Sequence, residues 1–335
     1  MNSDVVVALT MGDPAGIGPE IIAKLFAESD RAQSKHAIVV GDEAIMSREI
    51  SALDLPIRLN TIPTPGDADF SDGVLNLIPA TNLRRDLPQG VISEEAGAAA
   101  YRYVARAVEL AQRSEVLGIC TAPIHKESLR AAGFSYPGHT EILADLMRAP
   151  DCAMMLLTPE LRTILVTIHM PLIEAIDSLS VESELRTIRI ADNAMRKIGI
   201  RNPRIAVAGV NPHAGEGGLF GKEEINIISP AIRRAQQEGI NVTGPHPGDT
   251  VFMNARRGCF DIVVAQFHDQ GLIPVKLLGF DQGVNFTAGL PVVRTSVDHG
   301  TAFDIVGKGK ADPSSLRAAL KLAFELINLQ RRNAL

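Results

Sequence analysis

The stretch Val5-Val6-Val7-Ala8-Leu9-Thr10-Met11-Gly12-Asp13-Pro14-Ala15-Gly16-Ile17-Gly18-Pro19-Glu20 decides the fold class of this chain. It opens on a short, continuous, β-branched run, Val5–Thr10, which predicts a strand covered on both faces. Glycines follow at 12, 16 and 18, where a backbone can turn tightly and approach a ligand closely. Pro19 and Glu20 suit the first turn of a helix. Strand, glycine-rich turn and helix together make the opening of a β-α unit. The spacing is not G-x-G-x-x-G, so an ordinary dinucleotide-binding Rossmann domain is not expected.

The same alternation runs outward through the chain. Further strands are expected at Ala37–Val40, Leu75–Ile78, Val116–Cys120, Met154–Leu157, Thr163–Thr167, Arg204–Ala208 and Ile262–Val264. Amphipathic helices are expected at Glu94–Arg113, Glu182–Lys197 and Glu223–Gln237. A last helix opens at Asp312-Pro313, a cap followed by proline. The pattern predicts an α/β/α sandwich around a largely parallel sheet. The Pro-, Thr- and Asp-rich stretch 60–72 reads as a surface loop. A length of 335 residues leaves room for two α/β lobes.

Composition excludes several partners. The formal net charge is -6 with both signs mixed along the chain, which disfavours nucleic acid and anionic membranes. A few local cations would still suffice for a small anionic substrate. The three cysteines, Cys120, Cys152 and Cys259, are widely spaced and form no C-x-x-C, so a reduced, cytoplasmic setting is expected. The first residues read as a strand and not as a signal peptide. No apolar run is long enough for a membrane span.

Three histidines fall just after expected strands: His169 in Thr-Ile-His-Met-Pro, His213 in Asn-Pro-His-Ala-Gly-Glu-Gly-Gly, and His268 in Gln-Phe-His-Asp-Gln-Gly. Ligands of α/β proteins bind at the carboxyl ends of strands. Three imidazoles meeting there would hold one divalent metal, better zinc, cobalt, nickel or manganese than calcium, with Asp269 behind His268. Alone, each histidine is more often a structural residue. Tyr136-Pro137-Gly138-His139-Thr140-Glu141 opens a helix whose first amides, with Thr140 and His139, could hold an anion or simply form a cap. Lys276, Asn285 and Arg294, between glycines 279, 283 and 289, would suit a phosphate or carboxylate if they converge. Asp298-His299-Gly300-Thr301-Ala302 is a small, polar loop fit for a nucleotide or for a capped turn. Asp249 is a site acid or a helix cap.

Taken together, Gly-Asp-Pro-Ala-Gly-Ile-Gly-Pro-Glu, Gly-His-Thr-Glu, the three histidine loops and Arg-Thr-Ser-Val-Asp-His-Gly-Thr-Ala resemble the 4-hydroxythreonine-4-phosphate dehydrogenase family over nearly the whole chain. The resemblance implies a two-lobed α/β/α fold like that of isocitrate and isopropylmalate dehydrogenases, with the active-site cleft between lobes. Residues 1–128 with 290–335 would form the NAD-side lobe, and 129–289 the dimerisation and metal side. It implies a homodimer with the active site near the interface, His169, His213 and His268 as metal ligands, and His139, Thr140, Lys276, Asn285 and Arg294 on substrate. The metal would be zinc, cobalt, manganese or magnesium. Gly12, Asp13, His299, Gly300, Thr301 and Ala302 look like the NAD-binding loops. Asp249, Lys126 or a metal-bound water would be the base. The implied reaction is NAD-dependent oxidation of the C3 hydroxyl of a 4-phosphorylated 3-hydroxy acid, with loss of carbon dioxide, as in pyridoxine biosynthesis. The helix at His139, the run Lys276–Phe280 and the run Thr301–Ile305 look closer to a branch acting on 4-phospho-D-threonate or 4-phospho-D-erythronate. Gly248, Phe286 and Ala288 depart from the pattern. A terephthalate-type cis-dihydrodiol dehydrogenase, a metal-dependent hydrolase and a silent phosphate binder are the competing expectations.

Overall fold

Val7–Thr10 forms the first strand, with all four residues buried. The computed structural model describes residues 5–28, 36–278 and 283–334. In chain order the strands are β1 (Val7–Thr10), β2 (Ala37–Gly41), β3 (Arg58–Thr61), β4 (Val74–Pro79), β5 (Gly118–Thr121) and β6 (Ala153–Leu157). They continue as β7 (Arg162–Leu165), β8 (Ile205–Ala208), β9 (Val242–His246), β10 (Ile262–Ala265), β11 (Val284–Ala288) and β12 (Val293–Ser296).

The chain divides into two units, residues 1–149 with 290–328, and residues 150–289 with 329–335. In the first, the strand order is β3-β4-β2-β1-β5-β12 and every pairing is parallel. The helix Gly18–Ala27 follows β1 with proline in its first turn. Its Lys24 donates to the carbonyls of Gly309 and Ala311, and Glu20 accepts from the Ala311 amide, which fastens the returning chain to it. Residues 129–149, expected in the other lobe, cluster here because the helix Glu94–Gln112 holds them. A Cβ on Gly97 would lie 2.0 Å from the Ser128 carbonyl oxygen, and Tyr101 stacks on Phe134 at 3.9 Å.

In the second unit the order is β11-β6-β7-β10-β8-β9. Here β6 runs antiparallel to both neighbours, while β7, β10, β8 and β9 are parallel. The architecture is mixed α/β, and the expectation of a largely parallel sheet needs correcting for β6. The core is apolar, with Leu156, Leu165, Ala206, Val263 and Leu272 packed together.

Two local expectations are revised, and strand β12 was not expected. Asn60 and Thr61 belong to the edge strand β3, whose partly exposed Arg-Leu-Asn-Thr lacks an apolar pattern. The helix expected over 223–237 is a π-turn, Glu224–Ile228, followed by an α-helix, Ser229–Gln237. Pro230 cannot donate its missing backbone hydrogen to a continuous helix. β12, Val-Arg-Thr-Ser, is polar yet entirely buried. Gly279 and Phe280 lie outside the described residues.

Candidate active site

Arg294 sits mid-strand in β12 with 2% of its surface exposed. Its Nη2 donates to Thr121 Oγ1, at the end of neighbouring β5, at 2.7 Å. Burial pulls the guanidinium down to about 10, against the charge of the Glu141 carboxylate, so it stays a cation at neutral pH. His139 begins the helix His139–Leu146. Its Nε2 is buried and has no hydrogen-bond partner among the described residues. Burial first, then the charge of Arg294, holds its pKa well below the usual histidine value. His139 is therefore neutral and offers a hydrogen bond, not a positive charge. Thr140 is half-buried in the same first turn, where backbone amides lack intrahelical acceptors. A cation, a neutral imidazole and free amides suit an oxyanion.

The loops expected on the cofactor pack together in this same unit. Gly12 has φ +74°, and a Cβ there would lie 2.3 Å from the Pro123 carbonyl oxygen. Asp13 is fully buried; its Oδ1 accepts from the Ala15 amide at 2.8 Å, while Oδ2 lacks a partner among the described residues. Burial pushes this carboxyl up, against the hydrogen bond from the Ala15 amide, the nearby Ser128 hydroxyl and the field of His125. The Ile17 amide donates to the Thr301 carbonyl at 3.1 Å, and a Cβ on Gly16 would meet the Thr301 side chain at 2.9 Å. Ala302 has φ +43°. His299 Nδ1 donates to the Gly300 carbonyl at 3.0 Å, and its buried Nε2 has no partner among the described residues. Lys126 is exposed at the start of the short helix Lys126–Ala131.

The second unit carries the three expected metal ligands. His169 and His268 line one concavity of about 250 Å³, with ring centroids 5.8 Å apart. Asp269 Oδ1 lies 2.8 Å from His268 Nδ1. His213 lines another concavity, of about 330 Å³, with Asp249 and Gln270. Residues His213 to Gly218 all have positive φ, and this left-handed run brings His213 Nδ1 to 3.1 Å from Glu216 Oε2. Among the described residues no group of three metal-ligating side chains forms within one chain. Within one chain His169 and His268 stand together, and His213 stands apart from them. Asp249 is exposed and does not cap the following helix, Val251–Arg256, whose N-cap is Thr250. Lys276 is half-buried in the helix His268–Leu278. Asn285 on β11 keeps a buried Oδ1 without a partner among the described residues.

Sequence reasoning missed the residues that hold these loops. Gln266 Nε2 donates to the Ala208 carbonyl at 2.8 Å, and the Gln266 carbonyl accepts from Thr167 Oγ1 at 2.7 Å. Glu224, 2% exposed, accepts from the amides of Val210 and Asn211 at 2.8 and 2.7 Å, and from Asn211 Nδ2 at 2.9 Å. Thr121 anchors Arg294. The Gln266-x-His268-x-Gln270 spacing was a usable signal, since two amides bracket a candidate ligand; Glu224 and Thr121 gave none.

A family model described as pyridoxal phosphate biosynthetic protein PdxA matches residues 33–323. The chain belongs to the PdxA family. It is 54% identical to a 4-hydroxythreonine-4-phosphate dehydrogenase of Beijerinckia indica, over 96% of this chain and 95% of that one. It is 49% identical to a D-threonate 4-phosphate dehydrogenase of Pectobacterium atrosepticum, over 96% and 99%. The crystal structure of a 4-hydroxythreonine-4-phosphate dehydrogenase from Klebsiella pneumoniae superposes with a TM-score of 0.91 at 46% identity, covering 97% of this chain and all of that one. Membership of the PdxA family makes the chain an NAD-dependent oxidoreductase. No helix among the described residues is long and apolar enough to cross a membrane.

Proposed function

We propose that the chain oxidises the C3 hydroxyl of a 4-phosphorylated 3-hydroxy acid, with carbon dioxide lost from the resulting β-keto acid. The substrate class comprises 4-phosphohydroxy-L-threonine, 4-phospho-D-threonate and 4-phospho-D-erythronate; the first would place the chain in pyridoxine biosynthesis. The observation that carries this reading is the buried Arg294 beside a neutral His139. A desolvated guanidinium with an adjoining hydrogen-bonding imidazole favours a multiply charged oxyanion such as phosphate. Thr140, Lys276 and Asn285 would complete the grip and orient C3.

NAD supplies the hydride acceptor. The loops of Gly12–Asp13 and His299–Ala302 would hold it, with Asp13 Oδ2 and His299 Nε2, both without a partner among the described residues, as polar contacts. A divalent metal fits the donor set. The Nδ1 atoms of His268 and His213 each engage a carboxylate, which leaves Nε2 as the coordinating atom and supplies the usual outer support. His169 and His268 would form one part of the centre and His213 of the partner subunit the rest. Such a metal polarises a hydroxyl and lowers its pKa. Asp249 is the better candidate for the base, because it lines the same concavity as His213.

A homodimer suits the exposed apolar side chains of the second unit, among them Ile173, Leu219 and Leu277, at 71, 73 and 82% exposure. Three free cysteines suit a reduced cytoplasm. The deciding experiment is a panel of phosphorylated hydroxy acids, an aromatic cis-dihydrodiol and hydrolysable phosphate esters, assayed for NAD reduction with added divalent metal. NADH formation only with the phosphorylated acids is expected. Reduction only with the dihydrodiol, or ester hydrolysis without NADH, would reject the reading.

A further inference from the structure

We propose that Gln270 is a positioning residue for the metal centres of the dimer, tying the loop that carries His213 to the helix that carries His268 and so fixing how each chain presents one imidazole to its own centre and the other to its partner's. The inference rests on the metal-ligand reading above. One amide does two opposite jobs here. Gln270 Nε2 donates to the Gly209 carbonyl at 2.7 Å, where the chain leaves β8 toward His213. Gln270 Oε1 accepts from the Gln266 amide at 2.7 Å, where the chain leaves β10 toward His268. Only an amide has both a donor and a strong acceptor at this reach; ionised glutamate offers acceptors alone and methionine no donor and only a weak sulfur acceptor.

The brace joins a larger bonded frame. Gln266 in turn binds the Ala208 carbonyl through Nε2 and takes hydrogen bonds from the Thr167 hydroxyl and amide at 2.7 and 3.3 Å, two residues before His169. The ends of β7, β8 and β10, each followed by one of the histidines, are thereby linked through two glutamines. Gly248 makes room for the arrangement: a Cβ there would stand 3.2 Å from Gln270 Nε2. Gln270 is half-buried at the rim of the His213 concavity, so it is not part of the packed core.

The test uses full-length protein stripped of metal by chelation and titrated with cobalt, followed by visible absorption, with thermal unfolding of the metal-free protein in parallel. Outer-sphere partners of metal ligands are worth about tenfold to a hundredfold in affinity. Gln270→Met is expected to weaken cobalt by that factor and alter its visible spectrum, with the metal-free unfolding midpoint little changed. Gln270→Glu keeps the bond from Gln266 and loses the one to Gly209, so an intermediate loss is expected. His213→Ala is the control for the underlying reading. If His213→Ala loses cobalt but Gln270→Met binds it with native affinity and spectrum, the brace is refuted, as it is if only thermal stability falls. If His213→Ala binds cobalt normally, the ligand assignment fails instead.

Discussion

A guanidinium taken out of water is costly unless hydrogen bonds or an opposite charge compensate, and Arg294 is held in that condition by its strand. The Thr121 hydroxyl meets one nitrogen of the fork at 2.7 Å. The arrangement is preorganised for an anion. Arg294→Ala is expected to lower kcat/KM for a phosphorylated substrate by roughly tenfold to a hundredfold, the worth of one charged hydrogen bond. NAD binding, followed by fluorescence, should be unaffected; an equal loss for both would move Arg294 away from the phosphate. Glu184 behaves in the opposite way. It is completely buried on the helix Val181–Lys197, and burial pushes its carboxyl up to about 8 from 4.5. The folded state therefore holds a proton that the unfolded state releases, so stability falls as pH rises between those two values, by about 1.4 kcal/mol per pH unit at most. Glu184→Gln should unfold at a higher temperature than the parent at about pH 8, with the gain shrinking toward pH 5. A gain independent of pH would show that Glu184 does not titrate in this range. Sequence motifs revealed Arg294 but not its environment. Neither the burial of Glu184 nor the neutrality of His139 could be read without neighbours distant in sequence.

The element that shapes the site most is the left-handed loop after β8. Five non-helical residues in succession turn His213 back onto Glu216, and Glu224 fills the space inside the turn. Gly215 has φ +81°, and a Cβ there would stand 2.7 Å from Glu224 Oε2. Gly215→Ala combines an unfavourable backbone region with that clash, so it is expected to destabilise the protein by more than about 1 kcal/mol. Denaturant unfolding measures this, and an unchanged midpoint would contradict the account. The glycine-rich run was legible as an irregular loop. Its handedness was not, because Gly215, Gly217 and Gly218 permit either sign of φ while His213, Ala214 and Glu216 adopt the rarer one only under tertiary constraint. Strands with continuous apolar runs, such as β1 and β10, were legible for the contrary reason: burial on both faces leaves a plain hydrophobic signature. β12 escaped notice because its buried side chains include an arginine, a threonine and a serine, which leave no apolar run.

At the scale of the molecule, the alternation of strands and helices announced a mixed α/β chain, and it folds as two units. The antiparallel placement of β6 was hidden, since strand direction depends on connection and not on composition. The exposed Ile173 and Leu277 lie on the second unit, where pairing with another copy would cover them. Ile173→Lys with Leu277→Asp should shift the protein toward monomer in sedimentation velocity and remove turnover together, since the metal centre is proposed to need both copies. An active monomer would contradict that arrangement. The central claim is that a phosphate is gripped while a neighbouring alcohol is oxidised. Its most direct measurement is the rate of NADH formation with 4-phospho-D-threonate against unphosphorylated D-threonate, in parent and Arg294→Ala. The account predicts strong preference for the phosphorylated acid in the parent and loss of most of that preference in the variant. Equal rates with both acids in the parent, or a preference untouched by the substitution, would contradict it.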